Sequence, residues 1–174
     1  MGPEPDSDCA ATTAAFDFNA FYSRSLPIVY GYLLRLCGGD HDRTRDLTQD
    51  TWLQLVDELK RGNVDRADIR WLLTVARSRF LDGWRRGRRM ERGLRLAWVS
   101  HRDDVVIEPA TAEIVEHLAS LVTDHRVVLT LRYVDGLAVP EIAGLIGRST
   151  QATYSLLARA RDDLRARAGG GDHE

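Results

Sequence analysis

Apolar residues recur at helical spacing through most of the chain, and glycine or proline separates the stretches in which they do so. Two pairs of turn-forming residues, Gly38-Gly39 and Gly62-Asn63, interrupt the pattern in the first half. Pro27 is expected to start or kink the helix in which it lies. No stretch alternates apolar and polar residues with a period of two, so we expect no strands. The first half therefore predicts three long helices, over residues 16–36, 43–60 and 66–89.

The second half predicts four shorter helices. The third spans only residues 141–146 and ends at Gly147, and the fourth starts at Ser149 or Thr150, either of which is a good N-cap. A short helix, a glycine turn and a longer helix with a polar first face have the geometry of a helix-turn-helix. The expected core faces are Ile114, Leu118 and Leu121 in the first helix, Val127, Val128 and Leu131 in the second, and Thr153, Leu157, Ala160 and Leu164 in the fourth.

Several segments lack a periodic apolar face. We expect residues 1–15 to be disordered, residues 91–111 to form a flexible linker, and residues 169–174 to be a loose tail. The prediction is an all-α chain with two small helical domains, residues 16–90 and residues 112–168, joined by that linker.

Composition restricts the class of protein further. Of the 174 residues 44% are hydrophobic, which is enough for one domain or two small ones and too many for a wholly disordered chain. The apolar runs are far shorter than the ~18–20 residues that cross a bilayer, and no apolar signal segment is visible. We therefore expect no membrane insertion and a cytoplasmic location. Cys9 and Cys37 are too few for a disulfide scaffold or a cysteine-built metal site.

The net charge of −2 conceals a division along the chain. Residues 61–102 carry a net charge of +8, whereas residues 1–60 and residues 103–174 each carry −5. The middle segment alone has the electrostatics of a protein that binds a polyanion.

The arginines of the third helix are interleaved with Phe80 and Trp84. Arginines neutralise phosphates and aromatic rings stack on unpaired bases, so the mixture favours binding of strand-separated DNA; a solvated basic helix end is the alternative. The arginines are Arg77, Arg79, Arg85, Arg86, Arg88 and Arg89, and Trp71, Thr74 and Ser78 share a neighbouring face.

Two other helices carry candidate binding surfaces. Opposite its core stripe the second helix presents acids with an apolar Leu53, which a merely solvated face has little reason to keep. This face is either a docking surface for a basic partner or a solvated one. The last helix directs polar residues outward, where a DNA major groove could receive them, unless the segment is a helical hairpin within a bundle. The residues of the two faces are Asp46, Gln49, Asp50, Leu53 and Asp57, and Arg148, Thr150, Gln151, Tyr154 and Ser155.

The sequence offers no candidate catalytic site. It contains no GxSxG, GxxxxGK or HExxH motif and no paired-cysteine metal spacing. The five histidines are scattered, mostly near predicted helix ends. We expect neither an enzyme nor a bound cofactor or metal.

Taken in order, three segments resemble the sigma-70 family of bacterial transcription initiation factors, and within it the two-domain extracytoplasmic-function (ECF) group. Residues 46–52, DLTQDTW, are similar to the family's region 2.2, and residues 71–82 with the arginines that follow are similar to regions 2.3 and 2.4. The resemblance covers residues 16–167, and the three motifs together are highly specific. The segments similar to region 4 are residues 128–137, 141–143 and 157–161.

The resemblance implies that the chain binds core RNA polymerase, directs it to specific promoters and assists promoter melting. It also implies an anti-sigma factor as a partner, contact with the polymerase β flap, and a linker that runs towards the catalytic cleft and RNA exit channel. The residues implied to face the clamp helices of the β′ subunit are Asp46, Leu47, Gln49, Asp50 and Leu53. Those implied to grip the melted minus-ten element are Trp71, Thr74, Arg77, Ser78, Trp84, Arg85, Arg86, Arg88 and Arg89. Those implied to read the minus-thirty-five element are Arg148, Ser149, Thr150, Gln151, Tyr154, Ser155 and Arg159.

The chain departs from the family pattern at several positions. Ser78 stands where members commonly have Asn, which alters the pocket for a flipped base. Tyr154 and Leu156 stand where basic residues are usual, which removes two DNA contacts. Ala138 provides no side-chain cap for the short helix before the glycine turn.

Two other functions fit parts of the sequence. A stand-alone helix-turn-helix regulator, with residues 16–90 as an effector-binding or dimerising domain, would bind duplex DNA tightly without polymerase. A helical module that binds only proteins would show no promoter activity at all.

Overall fold

The structure, a computed structural model, describes residues 16–90 and residues 109–168, without the side chains of residues 88–90 and 168. The predicted N-terminal disorder, most of the predicted linker, the tail and Cys9 lie outside the described residues. In the described part every regular element is helical, which confirms the all-α prediction. The helices are α1 (Phe18–Cys37), α2 (His41–Lys60), α3 (Ile69–Met90), α4 (Pro109–Ala119), α5 (Thr123–Leu129), α6 (Val139–Ile146) and α7 (Thr150–Ala168).

Helices α1 to α3 form the N-terminal bundle. The carboxylate of Asp17 accepts the N–H of Ala20 at 3.0 Å and caps the start of α1. The helix ends at Gly38, whose φ of 70° is the left-handed conformation that favours glycine. Pro27 lies inside α1 with an exposed ring, so of the two alternatives expected for it the helix start is excluded.

The third helix begins later than its apolar pattern predicts. A 3-10 turn, Val64–Arg66, precedes it, and α3 starts at Ile69. The side chain of Asn63 donates to Glu58 at 2.6 Å, and its backbone N–H bonds to the Glu58 carbonyl at 3.0 Å. These bonds fold the chain back at the end of α2, and the next residues close a tighter turn before the α-helix can start.

Helices α4 to α7 form the C-terminal bundle. Helix α4 begins at Pro109, so the last residues of the predicted linker are helical. Of the predicted core face, Leu118 and Leu121 are buried, whereas Ile114 is exposed and Val115 is buried against α1 in its place. Helix α5 continues into a π-helical turn, Thr130–Val134, that the sequence did not predict. The predicted inner stripe of α7 is confirmed, because Thr153, Leu157 and Ala160 are buried and Leu164 packs against the core.

One apolar core runs through both bundles. Leu36, Leu55 and Phe80 of the N-terminal bundle belong to the same buried cluster as Leu131 and Ile142 of the C-terminal bundle. Helices α4 and α5 pack against α1, and α6 packs against α3. None of the helices in the described ranges is long and apolar enough to cross a membrane. In this structure the shared core sets the relative positions of the surfaces of α2, α3 and α7.

Candidate polymerase and promoter surfaces

Helix α2 presents an acidic face, which consists of Asp46, Gln49, Asp50, Leu53 and Asp57. All five are exposed, and 54% of Leu53 is accessible to solvent. An exposed leucine among carboxylates is a small apolar centre within a charged rim, which is how protein–protein contact patches are built.

The opposite side of α2 fixes this face by close packing. The hydroxyls of Thr44, Thr48 and Thr51 are buried, and each donates to the carbonyl one turn back at 2.6 to 2.7 Å. Because the hydroxyls are satisfied within the helix, this side can pack without unpaired polar groups. Leu47 packs against the core instead of joining the acidic face. Leu47, one of the implied polymerase contacts, is thus less exposed than the five residues of the acidic face.

Helix α3 exposes part of the predicted minus-ten surface. Thr74, Ser78 and Arg86 are exposed, and Trp71 is half-buried. Trp84, by contrast, is only 6% exposed and belongs to the core cluster, so in this structure its ring is not accessible to DNA bases. Its position explains this, because Leu72, Ala76, Phe80 and Trp84 repeat every four residues along the buried stripe.

Three of the arginines of α3, namely Arg77, Arg79 and Arg85, are engaged with other residues of the chain. Arg79 donates to the side chain of Gln54 at 2.8 Å. Arg85 donates to Asp82 at 2.6 Å and to the backbone carbonyl of Leu145 at 3.3 Å. Arg88 and Arg89 lie in α3, but their side chains are outside the described residues.

Arg77 takes part in a network that sequence reasoning missed. Its guanidinium lies 3.3 Å from the carboxylate of Asp135, which also accepts the hydroxyl hydrogen of Tyr32 at 3.0 Å. Burial raises the pKa of Asp135, while the Tyr32 hydrogen bond and the Arg77 charge act in the opposite direction. No local signal could have found this triad, because its members come from α1, α3 and the turn after α5.

Helix α7 presents the predicted minus-thirty-five surface. Ser149 is its N-cap, since its hydroxyl oxygen accepts the N–H of Ala152 at 3.2 Å. Of the polar side chains that follow, Tyr154 is the largest, with 55% exposure. The side chains exposed on this face are Thr150, Gln151, Tyr154, Ser155 and Arg159.

Two positions of this surface differ from expectation. Arg148 is predicted to point at DNA, but it is half-buried and pairs with Asp124 at 2.6 Å, which ties the turn before α7 to α5. Leu156 is only 4% exposed, so a basic residue is not missing from the surface there. Of these two departures from the family pattern, Tyr154 is the one that lies on the exposed surface.

The fold defines a helical protein with two bundles and a helix-turn-helix, a motif found in many DNA-binding proteins. Models of "Sigma-70 region 2" and "Sigma-70, region 4" match residues 21–90 and residues 111–164. ECF RNA polymerase sigma factor SigC of Mycobacterium tuberculosis is 32% identical over 127 residues, 71% of this chain and 69% of that protein. RNA polymerase sigma factor CarQ of Myxococcus xanthus is 28% identical over 159 residues, 85% of this chain and 87% of that protein. The sigma factor RpoE from Bartonella quintana, solved in complex with the anti-sigma factor NepR, shares the fold with a TM-score of 0.54 at 22% identity, over 90% of this chain and 99% of that one.

The chain belongs to the sigma-70 family, in its extracytoplasmic-function group. It is a promoter-specificity factor of RNA polymerase, and its partners are the core enzyme and promoter DNA. Members of the family are non-catalytic initiation factors. The family and function predicted from the sequence are thereby confirmed.

Proposed function

We propose that the two bundles divide promoter recognition between them. Residues 16–90 bind core polymerase and the melted minus-ten element, and residues 112–168 bind the minus-thirty-five element. The supporting observation is the separation of exposed chemistry, with acids on α2, arginines and an aromatic edge on α3, and neutral polar side chains on α7.

The protein acts in the cytoplasm and catalyses no reaction of its own, and an anti-sigma factor controls it. Membership of a family of non-catalytic initiation factors supports the first two statements. The third is supported by RpoE from Bartonella quintana, which was solved bound to an anti-sigma factor.

The acidic face of α2 is the polymerase-binding surface. Asp50 and Leu53 are both exposed on a helix whose other side is locked into the core, so little side-chain or backbone ordering is needed on binding. The carboxylates steer a basic partner towards the face, and Leu53 gives the contact an apolar centre. The partner surface on polymerase is the pair of clamp helices of the β′ subunit.

The promoter face of α3, which consists of Trp71, Thr74, Arg77, Ser78, Arg85 and Arg86, captures the unpaired minus-ten strand. Trp71 is half-buried and offers its exposed edge to a stacked base, and the hydroxyls of Thr74 and Ser78 can bond base edges. Arginines neutralise the phosphates on either side. Capture of unpaired bases favours the melted promoter, because each stacked base withdraws one base pair from the duplex.

The exposed side of α7 reads the minus-thirty-five duplex. The Gln151 amide matches the hydrogen-bond pattern of adenine in the major groove, and the ring of Tyr154 can contact a thymine methyl group. Arg159 is the exposed cation of this face and supplies a phosphate contact. With Arg148 held by Asp124, α7 binds DNA with little electrostatic help.

Run-off transcription with purified core polymerase and a promoter library tests this division. Asp50→Arg should weaken core binding at least tenfold, because it places a cation where a basic partner docks. Arg85→Ala with Arg86→Ala should leave core binding intact and abolish permanganate reactivity of the minus-ten bases.

Matched controls separate these effects from general charge changes. Glu116→Arg reverses an exposed charge on α4 and should bind core normally. Arg165→Ala with Arg167→Ala removes two exposed arginines at the end of α7 and should melt promoters normally. Normal core binding by Asp50→Arg, or normal melting by the α3 double variant, would refute the corresponding assignment.

A further inference from the structure

Two of the arginines assigned to the promoter face are occupied by the C-terminal bundle. Arg77 pairs with Asp135 at 3.3 Å, and the two side chains are only 20% and 10% exposed. Arg85 donates to the Leu145 carbonyl at 3.3 Å. Both contacts cross from α3 to the other bundle, so this part of the promoter face is covered from within the chain.

The groups that occupy these arginines have the chemistry of the ligand they exclude. Asp135 offers a carboxylate oxygen to the guanidinium, as a DNA phosphate would. Leu145 lies in the last turn of α6, where carbonyls have no intrahelical partner and carry the negative end of the helix dipole. Tyr32 donates to Asp135 at 3.0 Å and holds the carboxylate in place.

A further hydrogen bond, from Arg126, joins the two bundles. Arg126 of α5 is 7% exposed, and its Nε donates to the Leu36 carbonyl in the last turn of α1 at 3.0 Å. The same guanidinium donates to the carbonyls of Leu118 and Leu121 at 3.3 and 3.1 Å. A side chain at Gly38 would overlap this guanidinium, so glycine is required there for space as well as for its positive φ.

We propose that in the chain without polymerase the two bundles stay packed together, which we call the closed form. In this form Asp135 occupies Arg77 as a promoter phosphate would, so the C-terminal bundle competes with DNA for the promoter face. This inference rests on the proposed role of α3. Arg77 cannot hold Asp135 and a phosphate together, so DNA capture requires the bundles to separate at this contact. The closed form lowers the apparent affinity for DNA in proportion to its population.

The substitution Asp135→Asn in the full chain tests the closed form, with Asp162→Asn as the matched control. Both changes remove one negative charge, but Asp162 is exposed and pairs only within α7, with Arg165. The probe is a fluorescein-labelled single-stranded DNA of mixed sequence, because phosphate contacts do not depend on sequence. Binding is followed by anisotropy without polymerase, and the radius of gyration is measured by small-angle X-ray scattering.

We expect Asp135→Asn to have a larger radius of gyration and to bind the DNA about 3- to 10-fold more tightly than wild type, with the control unchanged in both. An unchanged radius of gyration overturns the closed form. A larger radius with unchanged affinity overturns the competition with DNA but leaves the closed form standing. If neither chain binds DNA and the Arg85→Ala, Arg86→Ala double variant melts promoters normally, the proposed role of α3 has failed, and this inference fails with it.

Discussion

At the scale of single residues, Asp135 shows how burial and partners set the behaviour of one carboxyl group. Burial raises its pKa, and Tyr32 and Arg77, the two groups that face it, lower the pKa in part. Because the folded pKa lies above that of the unfolded chain, ionisation of Asp135 reduces stability as the pH rises from the unfolded pKa, about 4, through the folded one. Removal of the Tyr32 hydroxyl raises the folded pKa further and makes this loss larger.

Tyr32→Phe should therefore destabilise the protein in a pH-dependent way. We expect the free energy of unfolding to fall by about 1–2 kcal/mol at pH 7, where the carboxylate loses a donor, and by clearly less near pH 4. Urea denaturation at the two pH values measures the difference. Tyr133→Phe, at an exposed tyrosine, should cost little at either pH. An equal loss for Tyr32→Phe at both pH values would contradict this account of Asp135.

Residues whose roles depend on local periodicity could be predicted, whereas those that depend on distant partners could not. The stripe of Thr153, Leu157 and Ala160 is buried as predicted, because helical spacing alone places it. Trp84 continues such a stripe, but its setting among arginines suggested a base-stacking role. The sequence predicts a DNA contact for Arg148, because its partner, Asp124, lies on another helix and only the fold brings the two together.

At the scale of elements, helix ends follow local chemistry more closely than helix interiors do. Gly38 and Gly147 both have positive φ and end α1 and α6 where the sequence predicts. The π-helical turn Thr130–Val134 could not be predicted, since no residue type in it demands a wider turn. This turn keeps Leu131 in the core and leads into Asp135, which it places beside α3.

Helix α6 has half of a capping box, and this makes a testable prediction. The Glu141 carboxylate accepts the backbone N–H of Ala138 at 2.7 Å, but an alanine side chain cannot return a bond to the first turn. Ala138 has φ −71° and ψ 151°, the conformation of an N-cap. Ala138→Ser should therefore complete the box and stabilise the protein by about 0.5–1 kcal/mol.

Thermal unfolding measures this gain as a rise of roughly 1–4 °C in Tm. The control is Ala166→Ser, the same change at an exposed position within α7, where serine has a lower helix propensity than alanine. It should give no rise. An unchanged or lower Tm for Ala138→Ser would show that the added hydroxyl does not cap the first turn of α6.

At the scale of the whole molecule, the small net charge is the sum of many opposite charges. Some of these charges pair within the fold, and others lie on separate surfaces. The basic segment, residues 61–102, carries +8 between two flanks that each carry −5. Part of the flanking acid faces outward on α2, and part faces inward, as Asp135 does against Arg77. The chain thus supplies both the surface for a basic partner and a counter-ion for its own promoter face.

If the bundles form one body, they should remain associated after the chain between them is cut. A specific protease site placed within residues 91–108, which lie outside the described residues, allows this cut without change to the described surfaces. The two fragments should then co-elute in size-exclusion chromatography, because the shared apolar core and the bonds of Arg126 hold them.

Arg126→Met should weaken that association, because it removes the donor to the Leu36 carbonyl across the interface and leaves the Leu121 carbonyl without this bond. The Leu118 carbonyl keeps the backbone N–H of Leu121. A loss of about 1–3 kcal/mol corresponds to roughly 5- to 150-fold weaker binding between the fragments. If the wild-type fragments bind with submicromolar affinity, this loss is enough to separate the variant fragments at micromolar concentration. Arg165→Met, at an exposed arginine, should leave the fragments together, and circular dichroism should show that every fragment keeps its helices. Separate elution of the wild-type fragments would mean that the linker, and not the interface, holds the bundles together. Co-elution of wild type with separation of the Arg126 variant would instead place the control of opening in this interface, at the carbonyls that Arg126 joins.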